Sequence, residues 1–298
     1  MKIGIAGMGR MGAAIATRLI GLGHEVGVWN RTAAKAQALA AAGASLAATP
    51  AELAARSEVI ISILTNAQAI DDTYLGTAGL LAADVRGKLF IEMSTVRPDD
   101  ERSLAASIRS KGATMIECPV GGTIGPAREG KLLAFVGGEP DDVERARPLL
   151  EQMCRRIEYV GSVGAGASVK LAVNLPLLVF WQAFGEALSL CQDLGLDPAR
   201  LVDIFAETSG GPAVLKGRGP MIVKALKGED SGPVTFDVEL ARKDLRTMVE
   251  EAAAQGRKLP VTAQALACFD EAIHDGLAAS DAVAIPAHWL KRKKSSGA

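Results

Sequence analysis

The order of strand-forming and helix-forming segments predicts an α/β chain. A doubly wound parallel sheet over residues 1–162 is expected, then an all-helical domain over 163–290 and a flexible tail over 291–298. Three observations carry this reading. Up to about residue 162, short β-type runs alternate with Ala-rich helical stretches. Beyond about Gly164 the β signal disappears and helical periodicity takes over. The length, 298 residues, also exceeds that of a usual single domain.

The strands expected in order are Lys2–Ala6, Glu25–Trp29, Val59–Leu64, Leu89–Glu92, Thr114–Cys118, Leu132–Val136 and Ile157–Tyr159. Between them the pattern predicts helices over Met11–Leu22, Ala33–Ala42, Pro98–Lys111 and Pro140–Met153. The helical part breaks near Asp197-Pro198, Gly210-Gly211-Pro212, Gly228 to Pro233 and Leu259-Pro260, where Pro and Gly interrupt the pattern. Its first element, Ala165–Leu194, would be about 45 Å long at about 1.5 Å per residue. So long and apolar a helix needs cover on most sides, which leads us to expect a homodimer or homotetramer.

Composition narrows the function. Thirty-three basic against 34 acidic side chains give a formal charge of −1, which offers no field for a polyanion, so nucleic acid is not an expected partner. The basic run Lys291, Arg292, Lys293, Lys294 reads as a solvated tail. Cys118, Cys154, Cys191 and Cys268 lack CxxC spacing, and His24, His274 and His288 stand alone, so neither a metal cage nor a disulfide framework is expected. That cysteine usage fits a reducing cytoplasm, and the start MKIGIAGMG reads as strand and turn and not as a signal peptide. Leu171 to Leu190 carries Asn174, Gln182 and Glu186 and reads as a buried helix, not a membrane span.

Gly7-Met8-Gly9-Arg10-Met11-Gly12 follows one apolar strand and opens an Ala-rich helix. In that context the glycines allow a tight turn, backbone approach to a pyrophosphate and close helix–strand packing, while the helix N-terminus offers its amides to phosphate. This is the Rossmann fingerprint of dinucleotide binding. At the end of the second strand an NAD-selective site offers Asp or Glu to the ribose 2′-hydroxyl. Here stand Asn30-Arg31-Thr32, where the Arg31 guanidinium can grip a 2′-phosphate with Asn30 and Thr32 as neutral donors. NADP(H) is therefore preferred, with NAD(H) possible.

Lys170 and Asn174 lie four residues apart on the long helix, on one face and about 6 Å apart. Lys170 follows the glycine-rich Gly161–Gly166 turn, where the two expected domains meet. A lysine in an apolar stretch is costly unless it has a partner or a task. Its ammonium can bind a carbonyl oxygen, stabilise charge as hydride arrives at carbon, and donate the proton. Trp181, eleven residues on, returns to nearly the same face and could wall a pocket or fill an interface.

The motifs in this order resemble the β-hydroxyacid dehydrogenase family, over nearly the whole length. The matches are Ile5 to Gly12, Ser94-Thr95, Cys118-Pro119-Val120-Gly121-Gly122-Thr123, Gly161 to Lys170 with Asn174, and Lys243-Asp244-Leu245. The resemblance implies Lys170 as acid/base and Asn174 as a substrate-orienting partner. Thr95 would contact the nicotinamide side, and Leu64, Thr65 and Asn66 would line the same crevice. Lys243 and Asp244 would close over cofactor and substrate, with Phe236 nearby. One departure concerns the substrate loop, where relatives carry a serine that helps hold a substrate carboxylate. Gly121 stands there, leaving the Gly122 and Thr123 amides and the Thr123 hydroxyl to bind an anion.

These residues lead us to expect an NADPH-dependent reductase of a small aldehyde or keto compound. Oxidation of a 3-hydroxy acid is the runner-up. An imine reductase, kept open by Gly121, and a non-catalytic NADP-binding scaffold are weaker alternatives.

Overall fold

The computed structural model describes residues 1–291, so most of the basic run and the expected tail lie outside the described residues. By contacts the chain divides into two units, the first Met1–Ala172, the second from Val173 onward. The divide falls inside one long helix, Ala165–Ser189.

The first unit is built on nine strands: β1 (Lys2–Ala6), β2 (Glu25–Trp29), β3 (Ser45–Leu46), β4 (Val59–Ser62), β5 (Leu89–Glu92), β6 (Thr114–Glu117), β7 (Val120–Gly121), β8 (Leu132–Gly137) and β9 (Cys154–Gly161). They lie in the order β3-β2-β1-β4-β5-β6-β8-β7, with β9 on β8. From β3 to β6 all pairs are parallel. β8 runs antiparallel to β6 and β7 and parallel to β9. The link from β7 to β8 is short, and a parallel return would need a longer crossover.

Helices cover both faces: α1 (Arg10–Gly21), α2 (Ala33–Gln37), α3 (Pro50–Arg56), α4 (Ala67–Leu75), α5 (Pro98–Ser110), α6 (Ile124–Glu129) and α7 (Pro140–Met153). Strand alternation sorts them. Ile3, Ile5, Val59, Ile61 and Ile91 share one core with Ile15 and Leu19 of α1 and Leu149 and Leu150 of α7. Ile60, Phe90 and Met115 share the opposite core with Leu53 of α3, Ile70 and Tyr74 of α4, and Leu104 and Ile108 of α5. The central strands are buried on both sides, which is why they read as unbroken apolar runs. Each fully buried Ile or Phe here stabilises the unit by about 1.5–3 kcal/mol relative to exposure.

Helix α8 (Ala165–Ser189) leads into the second unit, which is helical: α9 (Pro198–Ala206), α10 (Ala213–Lys227), α11 (Val238–Ala254), α12 (Pro260–His274) and α13 (Ile285–Lys291). The expected Pro and Gly breaks are the gaps between these helices. Asp197 caps α9 through the Ala199 amide at 2.8 Å, and Asp237 caps α11 through the Leu240 amide at 2.8 Å. α9 packs on α10 and α11 on α12. α8 ends five residues before the expected Leu194, which belongs to a separate 3₁₀ turn, Gln192–Leu194. Among the described residues α8 is the one helix long and apolar enough to cross a membrane. Its Leu178, Trp181, Phe184 and Leu188 are nevertheless buried, while Val173, and Leu190 just past its end, are exposed.

Candidate active site

Strand order reverses between β1 and β4, and a crevice opens outside the carboxyl ends of strands at such a switch point. The turns after these two strands form its walls. Gly7 leaves β1 at φ 102°, with its amide donating to Trp29 O at 2.9 Å. A Cβ there would collide with Ile63 O beyond β4, so only glycine lets the two turns meet. A Cβ at Gly12 would collide with Gly7 O. At Gly9 the opposite holds: nothing lies within 4 Å of its would-be Cβ. Gly9 is the N-cap of α1, and no side chain caps that end. An uncapped helix N-terminus behind an open glycine, flanked by Met8, Arg10 and Met11, fits a pyrophosphate.

Asn30 ties this turn to the end of β2. Its Oδ1 accepts from the Met8 amide and its Nδ2 donates to Thr32 O, both at 2.9 Å. Arg31 and Thr32 are exposed beside it, with no carboxylate at positions 30–32.

The loops that follow β4 and β5 rest on a buried polar row that the sequence reading missed. Register pairs Ser62 with Glu92 and Glu92 with Glu117, at the carboxyl ends of β4, β5 and β6. The Glu92 carboxylate accepts from the Ser94 amide at 2.8 Å, from the Ser94 hydroxyl, and from the Ser62 hydroxyl at 3.3 Å. The Ser94 hydroxyl oxygen in turn accepts the Leu64 amide at 2.8 Å. One carboxylate thus fixes both the Leu64-Thr65-Asn66 and Ser94-Thr95 segments. Asn66 caps α4 through the Ala69 amide at 2.9 Å.

Glu101 reaches the same row from α5. With both carboxyls ionised neither Glu101 oxygen would have a donor, whereas a proton on Glu101 lets it donate to Glu92. Burial, then the Glu92 charge, holds the Glu101 carboxyl well above its ordinary value. The signals were present in sequence: LFIE and TMIE end apolar strands in a costly carboxylate, and Glu101 shares the apolar stripe of Leu104, Ala105 and Ile108.

Beyond β6 the chain enters Cys118–Thr123. Gly122 requires glycine, at φ 129° with its would-be Cβ 2.8 Å from Leu132. Gly121 does not: its φ is ordinary and a Cβ would meet Leu133 at a comfortable 3.7 Å. The backbone therefore has room for a serine at 121. Lys170 lies partly buried on α8, one turn past Ala167.

In the second unit, Asn174 donates to Asp244 Oδ2 at 3.0 Å, and Lys243 Nζ pairs with Asp244 Oδ1 at 2.6 Å. Asn174 and Asp244 are buried. Both Asp244 oxygens are engaged, so it orients its two neighbours. Trp181 is 1% exposed and packs on Phe180, with ring centres 5.4 Å apart, in a cluster extending to Phe184 and Phe205. This is a core position, not an open wall. Phe236 is half-buried, with its carbonyl accepting from Ala282 at 2.9 Å.

Comparison with known proteins bears on this arrangement. Residues 2–161 match the family model for the NAD binding domain of 6-phosphogluconate dehydrogenase. Residues 164–289 match that for the NAD-binding region of NADP-dependent 3-hydroxyisobutyrate dehydrogenase. A 3-hydroxyisobutyrate dehydrogenase of Pseudomonas aeruginosa is 34% identical, over 92% of this chain and 95% of its own. The chain belongs to the β-hydroxyacid dehydrogenase family. The chloroplastic glyoxylate/succinic semialdehyde reductase 2 of Arabidopsis thaliana is 31% identical, over 99% of this chain and 81% of its own. A structure of Mycobacterium tuberculosis 3-hydroxyisobutyrate dehydrogenase with L-serine superposes with a TM-score of 0.84 at 29% identity, covering 97% of this chain and 99% of that one. As a β-hydroxyacid dehydrogenase, the chain is an NAD(P)-dependent oxidoreductase.

Proposed function

We propose that this β-hydroxyacid dehydrogenase reduces a small aldehyde or keto acid with NADPH, Lys170 giving the proton. One observation carries the reading furthest: the helix bearing Lys170 starts at the carboxyl edge of the same sheet whose β1 and β4 turns form the dinucleotide cradle. Arg31, exposed where an NAD-selective site needs a carboxylate, supports NADPH.

When bound, the reduced nicotinamide supplies hydride to the carbonyl carbon. The Lys170 ammonium hydrogen-bonds the carbonyl oxygen, stabilises the negative charge growing there and transfers its proton to complete the alcohol. The neutral amine left behind regains a proton from solvent. Asn174, held by Asp244, orients the substrate. Thr95 and Leu64 to Asn66 line the nicotinamide side, while the Gly122 and Thr123 amides face an anionic group. Lys243 covers the cofactor.

The same site run backwards oxidises a 3-hydroxy acid, and the relatives named for 3-hydroxyisobutyrate, one with L-serine in its structure, support this second reading. Initial rates with glyoxylate, succinic semialdehyde, methylmalonate semialdehyde and tartronate semialdehyde with NADPH, against 3-hydroxyisobutyrate and L-serine with NADP⁺, separate the two. Turnover of none, with NADPH still bound, overturns both in favour of a scaffold. We further infer a reducing cytoplasmic setting and a homodimer or homotetramer that covers Val173, Leu190 and Leu194, exposed at 47%, 86% and 64%. A monomeric mass by light scattering at micromolar concentration would rule out the assembly.

A further inference from the structure

Glu117, which has no role in the proposed chemistry, caps the helix that carries Lys170. It is the last residue of β6 and fully buried. Its Oε1 accepts the Gly164 amide at 2.6 Å and the Gly166 amide at 2.7 Å, and its Oε2 accepts the Ala167 amide at 3.3 Å. Helix α8 begins at Ala165, so two of these are first-turn amides that otherwise lack a partner. A helix is ordinarily capped by a Ser, Thr, Asp or Asn immediately before it. Here the cap comes from a strand 47 to 50 positions earlier in sequence.

Two glycines accommodate it. A Cβ at Gly137, its partner across β8, would collide with Glu117 Oε1, and one at Gly166 would lie 3.2 Å from the same atom. A local cap fixes a helix only to the residue preceding it. A carboxylate on β6 fixes it to the strand that runs directly into Cys118–Thr123.

We propose that Glu117 is the positioning residue for Lys170, setting the proton donor one helical turn beyond Ala167 against the Gly121–Thr123 loop through a single buried carboxylate. This rests on Lys170 being the proton donor. Burial pushes the Glu117 carboxyl up to about 7, against the pull of the three amides. The charged and titratable groups around it are Glu92 on β5, Glu101 on α5, Arg102 of α5 beside Gly164, and Cys118 next in sequence. Protonation removes the anion that holds the amides, so the clamp loosens as pH falls through about 7. A lysine donor gives the opposite limb, failing as pH rises.

The test compares Glu117→Gln, neutral and of equal size, with Glu117→Asp, which keeps the charge on a shorter arm. With NADPH and the best carbonyl substrate, Glu117→Gln is expected to keep the NADPH Kd within about twofold and lower kcat about 10- to 100-fold, as for a donor misplaced by about 1 Å. It should also lose the acid limb of the kcat–pH profile. Glu117→Asp is expected to recover part of kcat and keep that limb. A Glu117→Gln enzyme with unchanged kcat and an unchanged acid limb would overturn the proposal. Amide exchange on the unsubstituted protein decides the matter if either variant misfolds: protection at Gly166 and Ala167 should weaken from about pH 8 to about pH 6 while that at Ile15 holds. Equal protection at both pH values overturns it too. Because exchange requires no turnover, an inactive protein with intact, pH-dependent protection would fault the assigned reaction and leave the clamp standing.

Discussion

Asp244 receives the side-chain amide of Asn174 on one oxygen and the ammonium of Lys243 on the other. Two groups expected to face substrate and cofactor are thereby oriented by one buried carboxylate. Asp244→Ala is accordingly expected to cut kcat/KM about tenfold or more, since it leaves Asn174 and Lys243 without their shared partner. Steady-state kinetics beside an unchanged circular dichroism spectrum checks this; a wild-type kcat/KM would contradict it.

Lys170→Ala, if the ammonium gives the proton, loses about 10²- to 10⁴-fold in kcat, the usual contribution of a general acid. NADPH binding, measured by fluorescence titration, should be retained. Substantial turnover in the folded variant would remove Lys170 from the reaction.

Arg31→Ala, if the Arg31 guanidinium grips a 2′-phosphate, removes that contact. A charge-assisted hydrogen bond is worth about 1.5–3 kcal/mol, so NADPH affinity should fall about 10- to 100-fold. NADH affinity should be unaffected. Calorimetry with both cofactors makes the comparison, and parallel losses would point to a structural role for Arg31.

Gly121→Ser supplies the hydroxyl that the family resemblance implies here, into space the backbone already provides. If Gly121 disfavours carboxylates, KM for glyoxylate or succinic semialdehyde drops about tenfold, as for one hydrogen bond to a charged group, while an uncharged aldehyde is little changed. Equal shifts for both substrates would count against a carboxylate role at this position.

Glu101 yields a stability prediction with a definite sign. Its carboxyl is held above the ordinary carboxylate value in the folded chain by burial and by Glu92. Above the unfolded value, near 4.5, the native state therefore holds a proton that unfolding releases, and stability falls as pH rises. Glu101→Gln removes this term. Between about pH 5 and about pH 8 the variant should lose less stability than the parent chain, by up to about 1.4 kcal/mol per pH unit over the affected window. Urea titrations at several pH values decide it, and identical slopes would mean that Glu101 is ionised.

What the sequence made legible was what local chemistry determines. Helix α7 runs Pro140–Met153 as expected, because proline at its first position and a 3.6-residue apolar stripe mark it without reference to the rest of the chain. The turn at Gly7 to Gly12 was equally readable, since its glycine spacing between a strand and a helix lies within one short stretch of sequence. β3 and β7, two residues each, are too short to display any alternation. The reversal of β8 escaped notice because strand direction is fixed by pairing, not by composition. Glu92 and Glu117 each show in the sequence as a carboxylate ending an apolar strand, but only register sets them side by side. Glu101 sat among Asp99 and Asp100 and resembled an ordinary acidic helix start, although its stripe said otherwise.

A protonated Glu101, the form that burial and the Glu92 charge favour, would also give the molecule a reporter of its own. A neutral carboxylic acid stretches at an infrared frequency separated from that of carboxylates, and its band moves with the local electric field. Here that acid lies against the residue that fixes the Leu64 and Ser94 turns, so the arrival or reduction state of a nicotinamide could be followed by difference spectroscopy, without any added label.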